Sequence, residues 1–245
     1  MTKNLSKIKG TLHGWNSQSA KWYDDASAYT GYHDKLSRYI LRYIKPEYTC
    51  FEIACGTGNL ARVLAPHCSG YTAADVDENA ISFFREKLAG EGGPDIKVIC
   101  SDWKKALGED QYDVIIESYF GVKTADWDLL QNAARHMFIA VVPRDRSMAE
   151  GEGISKRHNE RLESFDQMER FFTERGMVFE AFPLDIEFGQ PFSNIEEARD
   201  YVRYYYKLDE DDIERFIEMK LTRQDDGMLY FPKTKKIVMI AVHTD

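Results

Sequence analysis

The chain has 245 residues, 43% of them hydrophobic, which is enough for one domain with an insertion or cap and a full hydrophobic core. Its formal net charge of −9 argues against general nucleic-acid binding, which depends on neutralisation of phosphates by Lys and Arg. No apolar run approaches the ~18 residues that span a bilayer, and the polar N-terminus lacks the apolar region of a signal peptide. We therefore expect a cytoplasmic protein, monomeric or homodimeric, without membrane or nucleic-acid partners.

The first predicted elements are two helices over residues 18–45, and Pro46 ends the second of them. Strands and helices then alternate, a pattern typical of a mostly parallel sheet with helices on both faces. Asp77 can cap the second helix of this alternating region. The predicted strands are 49–54, 70–75, 96–101, 112–117 and 137–142, and the predicted helices are 59–66, 78–89 and 126–136.

The second half of the chain begins with residues 144–161, a charged stretch without periodicity that predicts a loop. Two capping boxes, at residues 164–167 and 193–196, mark the beginnings of two helices. Gly176 ends the first of these helices. The remaining predicted elements are helices 164–176, 193–206 and 210–222 and strands 177–187 and 236–242.

The most informative segment is residues 51–60, where an apolar strand breaks into a Gly-x-Gly turn and a helical pattern follows. Glycine is needed where the backbone adopts positive φ or where a ligand comes close. Glu52, near the end of the strand, would repel a pyrophosphate but would suit a cationic amino-acid group or a ribose hydroxyl. The turn also lacks the third glycine of dinucleotide-binding turns. These residues favour S-adenosylmethionine (SAM) over NAD as the ligand.

This turn and three later segments resemble the motifs of the class I SAM-dependent methyltransferases. The turn resembles motif I, although Ala54 stands where many members carry the first glycine. Residues 71–77, 96–103 and 112–118 resemble the second, third and fourth strands of that family at the usual intervals. The resemblance implies a Rossmann-like, doubly wound α/β fold with a mostly parallel seven-stranded sheet and an antiparallel last strand. A helical insertion before that last strand is implied as well.

The resemblance also implies a set of cofactor-binding residues. The turn amides approach the carboxylate of SAM, Glu52 accepts from its amino group, and Asp75 binds the ribose hydroxyls. Asp102 accepts from the adenine amino group, and Trp103 packs on the ring. Each acid has a structural alternative, because an acid after a strand often caps a helix or forms a turn. The full predicted set is Glu52, Ala54, Cys55, Gly56, Thr57, Gly58, Asn59, Asp75, Val76, Asp102, Trp103 and Glu117.

The predicted catalytic residues are Glu117 and Tyr119, which follow the fourth strand and would face the transferred methyl group, and His33 as a candidate base. A base is optional, since only amine and hydroxyl acceptors must lose a proton. Aromatic side chains of the N-terminal segment and of the insertion predict an acceptor pocket with cation–π contributions. The alternative for any single aromatic residue, and for His33, is structural packing. The predicted acceptor contacts are Trp22, Tyr29, Tyr119 and Tyr205.

The sequence divides into four predicted parts: an N-terminal helical lid (1–45), a SAM-binding core (46–192), a helical insertion that forms a cap (193–231) and the last core strand (232–245). The four cysteines form no C-x-x-C pair, so we expect reduced thiols and no metal site. The predicted function is methyl transfer from SAM to a small-molecule acceptor. Alternatives are methylation of a protein or RNA, a nicotinamide-dependent oxidoreductase, and a catalytically idle SAM-binding regulatory protein.

Overall fold

A computed structural model of the protein describes residues 14–91, 93–144, 165–206 and 208–244. The strands are β1 (Thr49–Ile53), β2 (Gly70–Asp75), β3 (Lys97–Cys100), β4 (Tyr112–Ser118), β5 (Ala134–Pro143), β6 (Phe179–Glu187), β7 (Gln190–Phe192), β8 (Thr222–Arg223), β9 (Leu229–Phe231) and β10 (Thr234–His243). The helices are α1 (Ser17–Thr30), α2 (Tyr32–Ile40), α3 (Asn59–Leu64), α4 (Glu78–Glu91), α5 (Trp103–Leu107), α6 (Trp127–Ala133), α7 (Phe165–Glu174), α8 (Ile195–Tyr206) and α9 (Glu210–Lys220).

The main sheet has seven strands in the order β3-β2-β1-β4-β5-β10-β6. β1 pairs in parallel with both β2 and β4, whereas β10 runs antiparallel to β5 and β6. This arrangement confirms the predicted mostly parallel sheet with an antiparallel last strand. The chain leaves β1 toward one edge and returns to β4 on the other side of β1. Ligands of open α/β sheets bind at the carboxyl ends of the strands at such a reversal.

Side chains that alternate along the strands fill two cores, one on each face of the sheet. On one face, Ile237 and Met239 of β10 pack in a cluster with Tyr32 and Leu36 of α2. On the other face, Val238 packs in a cluster with the aromatic side chains of α6 and α7. Because α2 covers the first face, the N-terminal helices belong to the same packed body as the sheet. None of the helices in the described ranges is long and apolar enough to cross a membrane.

The predicted boundary between α6 and β5 was wrong by three residues. The helix was expected to run through residue 136, but it ends at Ala133 and the strand begins at Ala134. Pairing of Ala134 with Tyr112 of β4 extends the sheet into this stretch. Pairing with β4 therefore determines where the helix ends and the strand begins, and the local sequence pattern does not show this boundary.

The region between β6 and β10 contains more than the predicted helices. A second, three-stranded sheet in the order β7-β9-β8 accompanies α8 and α9. Its strands have two or three residues each, too few to show periodicity. The capping box of α8 is also shifted by one residue: the side chain of Asn194 accepts from the amide of Glu197, whose carboxylate accepts from the amide of Ser193.

Other predictions for the second half concern termini and segments that are only partly described. The helix expected from residue 164 is observed over Phe165–Glu174, and Gly176 follows it with a φ of +65°. Residue 164 itself and the loop predicted for residues 144–161, apart from Arg144, lie outside the described residues, as do residues 1–13 of the predicted lid.

Candidate active site

The Gly-x-Gly turn follows β1 directly and has an unusual backbone. Ala54, Gly56 and Gly58 have φ values of +53°, +54° and +76°. The amide of Cys55 donates to the carbonyl of Ala74 in β2, at 3.0 Å. Cys55 itself is a buried, free thiol. The turn is thus fixed to the neighbouring strand at the carboxyl edge of the sheet.

Ala54 holds a left-handed conformation that L-residues adopt only at a cost of about 1–2 kcal/mol. This is the position at which the family resemblance places a glycine. Among the described residues, the other non-glycine residue with positive φ is Tyr119, at +57°. The two residues follow β1 and β4, the strands that flank the reversal point. Such outliers cluster at functional sites, where surrounding structure maintains them.

We expect Ala54→Gly to raise the free energy of unfolding by about 1–2 kcal/mol, because glycine adopts positive φ without strain. The measurement is denaturant-induced unfolding monitored by circular dichroism. Ala65→Gly provides the matched control, since Ala65 has an ordinary φ of −54° and should lose stability on the same change. A loss of stability at both positions would contradict the strain at Ala54.

The two glycines of the turn have different neighbours. A Cβ on Gly58 would lie 2.2 Å from the ring of Phe84 in α4, so this glycine permits close packing of helix and turn. A Cβ on Gly56 would lie 3.5 Å from the ring of Trp15, which is ordinary van der Waals contact. Gly58 therefore allows α4 to pack closely against the turn, whereas Gly56 lies beside the ring of Trp15 in the N-terminal segment.

Asp75 ends β2 and organises the backbone around the turn. Its carboxylate accepts hydrogen bonds from the amide of Gly56 at 2.8 Å and from the amide of Asp77 at 2.9 Å. Burial raises the pKa of Asp75 above its ordinary value, although the backbone hydrogen bonds act in the opposite direction. Asp77 caps α4, as predicted, by accepting from the amides of Asn79 and Ala80. The side chain of Val76, between the two acids, is 64% exposed.

Glu52 lies in the core beside the turn. Its side chain is 3% exposed, and its carboxyl group accepts a hydrogen bond from the hydroxyl of Tyr71 at 2.9 Å. Burial raises the pKa of Glu52 to about 8, and the nearby charge of Asp75 acts in the same direction. The carboxyl group is therefore largely protonated at neutral pH in the absence of a cationic ligand.

Glu52 should make stability fall as the pH rises. The folded protein keeps this proton up to about pH 8, whereas the carboxyl in the unfolded chain releases it near 4.5, so unfolding becomes easier between these values. His33 has the opposite effect, because its pKa falls from 6.5 to about 3 on folding and stability therefore rises with pH between these values. Above about pH 6.5 His33 no longer changes the stability, so Glu52 can be observed separately there. We expect Glu52→Gln to flatten the decline between pH 6.5 and 8, measured by urea unfolding. Equal slopes for the variant and wild type would contradict this assignment.

Asn59, a predicted cofactor residue, belongs to a polar network that joins α1 to the turn. Its amide nitrogen donates to Asp24 at 2.8 Å, and its oxygen accepts from Lys87 at 3.2 Å. Lys87 also donates to the carbonyl of Thr57 and forms a 2.5 Å ion pair with Asp24. Sequence reasoning missed Asp24 and Lys87, because no local pattern links residues so far apart in the chain.

The segment before α1 lies across the same turn. The amide of Trp15 donates to the carboxylate of Asp77, and the carbonyl of Trp15 accepts from the side chain of Asn79. The indole of Trp15 also meets the ring of Tyr23 edge to face, with centroids 5.3 Å apart. The N-terminal segment therefore contacts the predicted cofactor edge directly.

Asp102 and Trp103 follow β3 and have structural roles in this arrangement. Asp102 is exposed and caps α5 by accepting from the amide of Lys104 at 3.0 Å. The ring of Trp103 is 6% exposed and packs in the core cluster that contains Phe51 and Ile53. The helix that Asp102 caps was not predicted, since five residues are too few to show a helical period.

Glu117 and Tyr119 lie at the end of β4. The carboxylate of Glu117 is fully buried and accepts from the amides of Phe120 and Gly121, at 3.2 and 3.1 Å. The amide of Tyr119 donates to the carbonyl of Val141 in β5. Glu117 therefore holds the tight turn that orients Tyr119.

His33, the predicted base, lies in a buried aromatic cluster. Its ring nitrogens contact the hydroxyls of Ser27 at 2.6 Å and Tyr23 at 3.3 Å. Burial lowers the pKa of His33 to about 3, and the charges of Lys235 and Lys87 contribute. A histidine with so low a pKa binds a proton poorly at neutral pH, and these contacts suit a structural role.

The predicted acceptor contacts occupy three different places. Trp22 is 1% exposed and packs against α8, with its centroid 5.9 Å from that of Tyr205. Tyr29 is 39% exposed, and its hydroxyl donates to Asp226, two helical turns along α1 from Trp22. Tyr119 lies at the end of β4, beside the ammonium group of Lys235. The structure thus joins Trp22 to Tyr205 but separates both from Tyr29.

A cleft of about 460 Å³ lies at the opposite edge of the main sheet. Its lining includes Thr49 and Gly70, the first residues of β1 and β2. This amino edge carries none of the predicted site residues. At the carboxyl edge, Trp15 and the helices α1 and α2 cover the strand ends.

Comparisons with known proteins agree with this geometry. Residues 51–143 match a protein family described as "Methyltransferase domain". A sequence comparison with curated proteins gives no match. The match favours a methyltransferase over the nicotinamide-dependent oxidoreductase that the sequence left open.

Solved structures share the fold at low sequence identity. Precorrin-6y C5,15-methyltransferase from Geobacter metallireducens GS-15 has a TM-score of 0.52 at 7% identity, over 85% of this chain and 88% of that one. Magnesium protoporphyrin IX methyltransferase (ChlM) from Synechocystis PCC 6803, with bound SAH, has a TM-score of 0.51 at 12% identity, over 94% and 89%. PH1948 from Pyrococcus horikoshii, a candidate RNA methyltransferase, has a TM-score of 0.50 at 17% identity, over 98% and 94%.

Proposed function

Residues 51–143 form a class I SAM-dependent methyltransferase domain, so the chain is an enzyme with SAM as its cofactor, and from this premise we propose that its methyl acceptor is a small molecule. The observation that carries the proposal is the cover over the carboxyl edge of the sheet. Trp15 lies against the turn, the half-buried Tyr23 packs edge to face on Trp15, and Tyr32 is buried in the core cluster of α2 and the sheet. An enclosed aromatic site suits a small acceptor better than a polymer.

The residues at the turn fit the cofactor. The hydroxyl of Thr57 is buried without a hydrogen-bond partner among the described residues, and Gly56 presents no side chain. Both features leave polar atoms of the turn available to a ligand that comes close. When bound, SAM supplies a methyl group activated by a sulfonium.

Several residues would hold the cofactor. The turn from Ala54 to Asn59 would bind its carboxylate, Asp75 its ribose hydroxyls, and Glu52 its amino group. The adenine would lie against Val76 and Asp102, with Trp103 below them in the core. The exposed apolar surface of Val76, directly after Asp75, supports this placement of an apolar ring face.

On the acceptor side, the residues of this chain would mainly position the acceptor relative to the methyl group. Glu117 fixes the turn after β4, and this turn orients Tyr119 toward the covered edge. Alignment of two reactants can lower a barrier by about 7–11 kcal/mol, so a dedicated base is not required for methyl transfer.

The N-terminal helices would act as a lid over the site. The Asp24–Lys87 ion pair joins α1 to α4 and Trp15 is hydrogen-bonded to Asp77, so opening of the lid would break these contacts. We expect hydrogen exchange in residues 14–33 to slow when SAH binds and to slow further with acceptor. Helix α6, on the other face of the sheet, provides an internal control. If exchange in residues 14–33 is already slow without ligand and does not change with SAH, these helices are a fixed part of the core and not a lid.

The acceptor class can be tested by the formation of SAH from SAM. The wild-type protein is incubated with SAM and, separately, with a pool of small metabolites, total tRNA or a peptide library. We expect SAH to form above background with the metabolite pool alone. Turnover with tRNA or peptides instead would overturn the small-molecule proposal while leaving the methyltransferase assignment intact.

A further inference from the structure

Three polar side chains join the Gly-x-Gly turn to α1 and α4, and we call Asp24, Asn59 and Lys87 the latch. The ammonium group of Lys87 donates to Asp24 at 2.6 Å and to the side-chain oxygen of Asn59 at 3.2 Å. It also donates to the carbonyl of Thr57 at 3.3 Å. The amide of Asn59 donates to Asp24 at 2.8 Å, so the three side chains form a closed ring of contacts. An ammonium group has three N–H donors, and this arrangement uses all of them.

The latch is partly shielded from water. The side chain of Lys87 is 16% exposed and that of Asp24 is 30% exposed. Burial lowers the pKa of Lys87, and its hydrogen bond to Asp24 acts in the opposite direction. Loss of one partner of a partly buried ion pair leaves the other charge in a poorly solvated place, which costs more than the loss of a fully exposed pair. The two residues therefore depend on each other.

Lys87 controls the orientation of one peptide group in the turn. The carbonyl of Thr57 accepts from Lys87, and the amide of Gly58 in the same peptide group donates to the carbonyl of Cys55 at 3.0 Å. Phe84 lies one helical turn before Lys87 and packs against Gly58, so the same face of α4 supports the turn twice. The hydroxyl of Thr57 is buried without a hydrogen-bond partner among the residues that the structure describes. Lys87 thus fixes the residue whose hydroxyl remains for the cofactor.

Helix α1, which carries Asp24, also contacts α8 of the insertion. The ammonium group of Lys21 forms an ion pair with Glu197 at 3.3 Å. The ring of Trp22 meets that of Tyr201 edge to face, with centroids 5.2 Å apart. Both partners belong to α8. Through α1, the latch therefore connects the turn to the part of the insertion that lies over the N-terminal helices.

We infer that Asp24 and Lys87 are positioning residues for the cofactor: their ion pair holds the turn in the shape that binds SAM and links binding there to α1 and α8. Lys87 acts through the peptide group after Thr57 and through Asn59, without contact to the cofactor. A ligand changes a distant segment only if it binds one arrangement of that segment more tightly, so the latched arrangement must have the higher affinity. This inference rests on the proposed lid and on SAM as the cofactor.

The first test is calorimetric titration of SAH into the wild type, Asp24→Asn, Lys87→Met and the double variant. We expect each single substitution to weaken binding about tenfold and the double variant to bind no more weakly than the weaker single variant. Lys87→Arg, which keeps the charge, should restore part of the affinity. Arg85→Met is the matched control, because it removes the same charge from α4 at a side chain that contacts the carbonyl of Val98 instead of the turn. It should bind SAH like the wild type.

Hydrogen exchange is the second test, and a pair that serves only stability would not change its outcome. SAH should slow exchange in α1 and α8 of the wild type, and the slowing in α8 should be lost in Asp24→Asn, which keeps the size of the side chain. Wild-type SAH affinity in folded Asp24→Asn and Lys87→Met, additive losses in the double variant, or the same response of α8 in wild type and Asp24→Asn would overturn the inference. Failure of the wild type to bind SAH would contradict the cofactor assignment on which it rests.

Discussion

Gly58→Ala is expected to lower the free energy of unfolding by about 2–4 kcal/mol, the largest loss of stability that a single added methyl group should cause in the turn. The new Cβ would lie 2.2 Å from the ring of Phe84, which is itself fully buried and has no space to move into. The φ of +76° adds backbone strain for any L-residue. Urea unfolding followed by circular dichroism measures the loss.

Gly56→Ala provides the matched control for this prediction. Its φ of +54° imposes a similar backbone cost, but its Cβ would meet the Trp15 ring at an ordinary 3.5 Å. We expect a loss of only about 1–2 kcal/mol at Gly56, which is the backbone term alone. Equal losses of stability at the two glycines would show that the clash with Phe84 is not the reason why position 58 needs a glycine.

Asp75→Ala is expected to weaken SAM binding by about 1.5–3 kcal/mol, which is the range for hydrogen bonds to a charged group. The carboxylate would bind the ribose hydroxyls, and it also holds the amides of Gly56 and Asp77. The substitution therefore removes a ligand contact and loosens the turn that lies beside the ligand. Calorimetric titration with SAM measures the change in affinity.

A control must separate binding from the general stability of this region. Asp77→Ala removes the cap of α4 and the contact with Trp15, so it should cost about 1 kcal/mol of folding free energy. Its effect on SAM affinity should be smaller than that of Asp75→Ala. Unchanged SAM affinity in a folded Asp75→Ala protein would show that the ribose assignment is wrong.

The sequence predicted the sheet and the turn because their signals are local. Apolar runs such as residues 112–117 mark buried strands, and the glycines of the turn mark positive φ. Since parallel strands end at one edge, residues as distant as Glu52, Asp75 and Glu117 could be assigned to a common site. The pairings of β1 with β2 and β4 place them on neighbouring strands.

The parts that could not be predicted depend on contacts between distant segments. Trp15 reaches the turn, and Lys235 reaches Tyr119, only after the N-terminal helices and the last strand have packed on the sheet. The burial of His33, which lowers its pKa, also arises from this packing. A histidine on a predicted helix carries no sequence signal that separates a base from a packed side chain.

The central claim, that the Gly-x-Gly turn of this chain binds SAM, is tested most directly by calorimetric titration of the wild-type protein with SAH and, in parallel, with NAD. The turn lacks a third glycine and has an acid at the strand end, features that favour a sulfonium cofactor over a pyrophosphate. We expect SAH to bind with one site per chain and NAD to produce no binding heat. Binding of NAD, or no binding of SAH by the folded protein, would contradict the account.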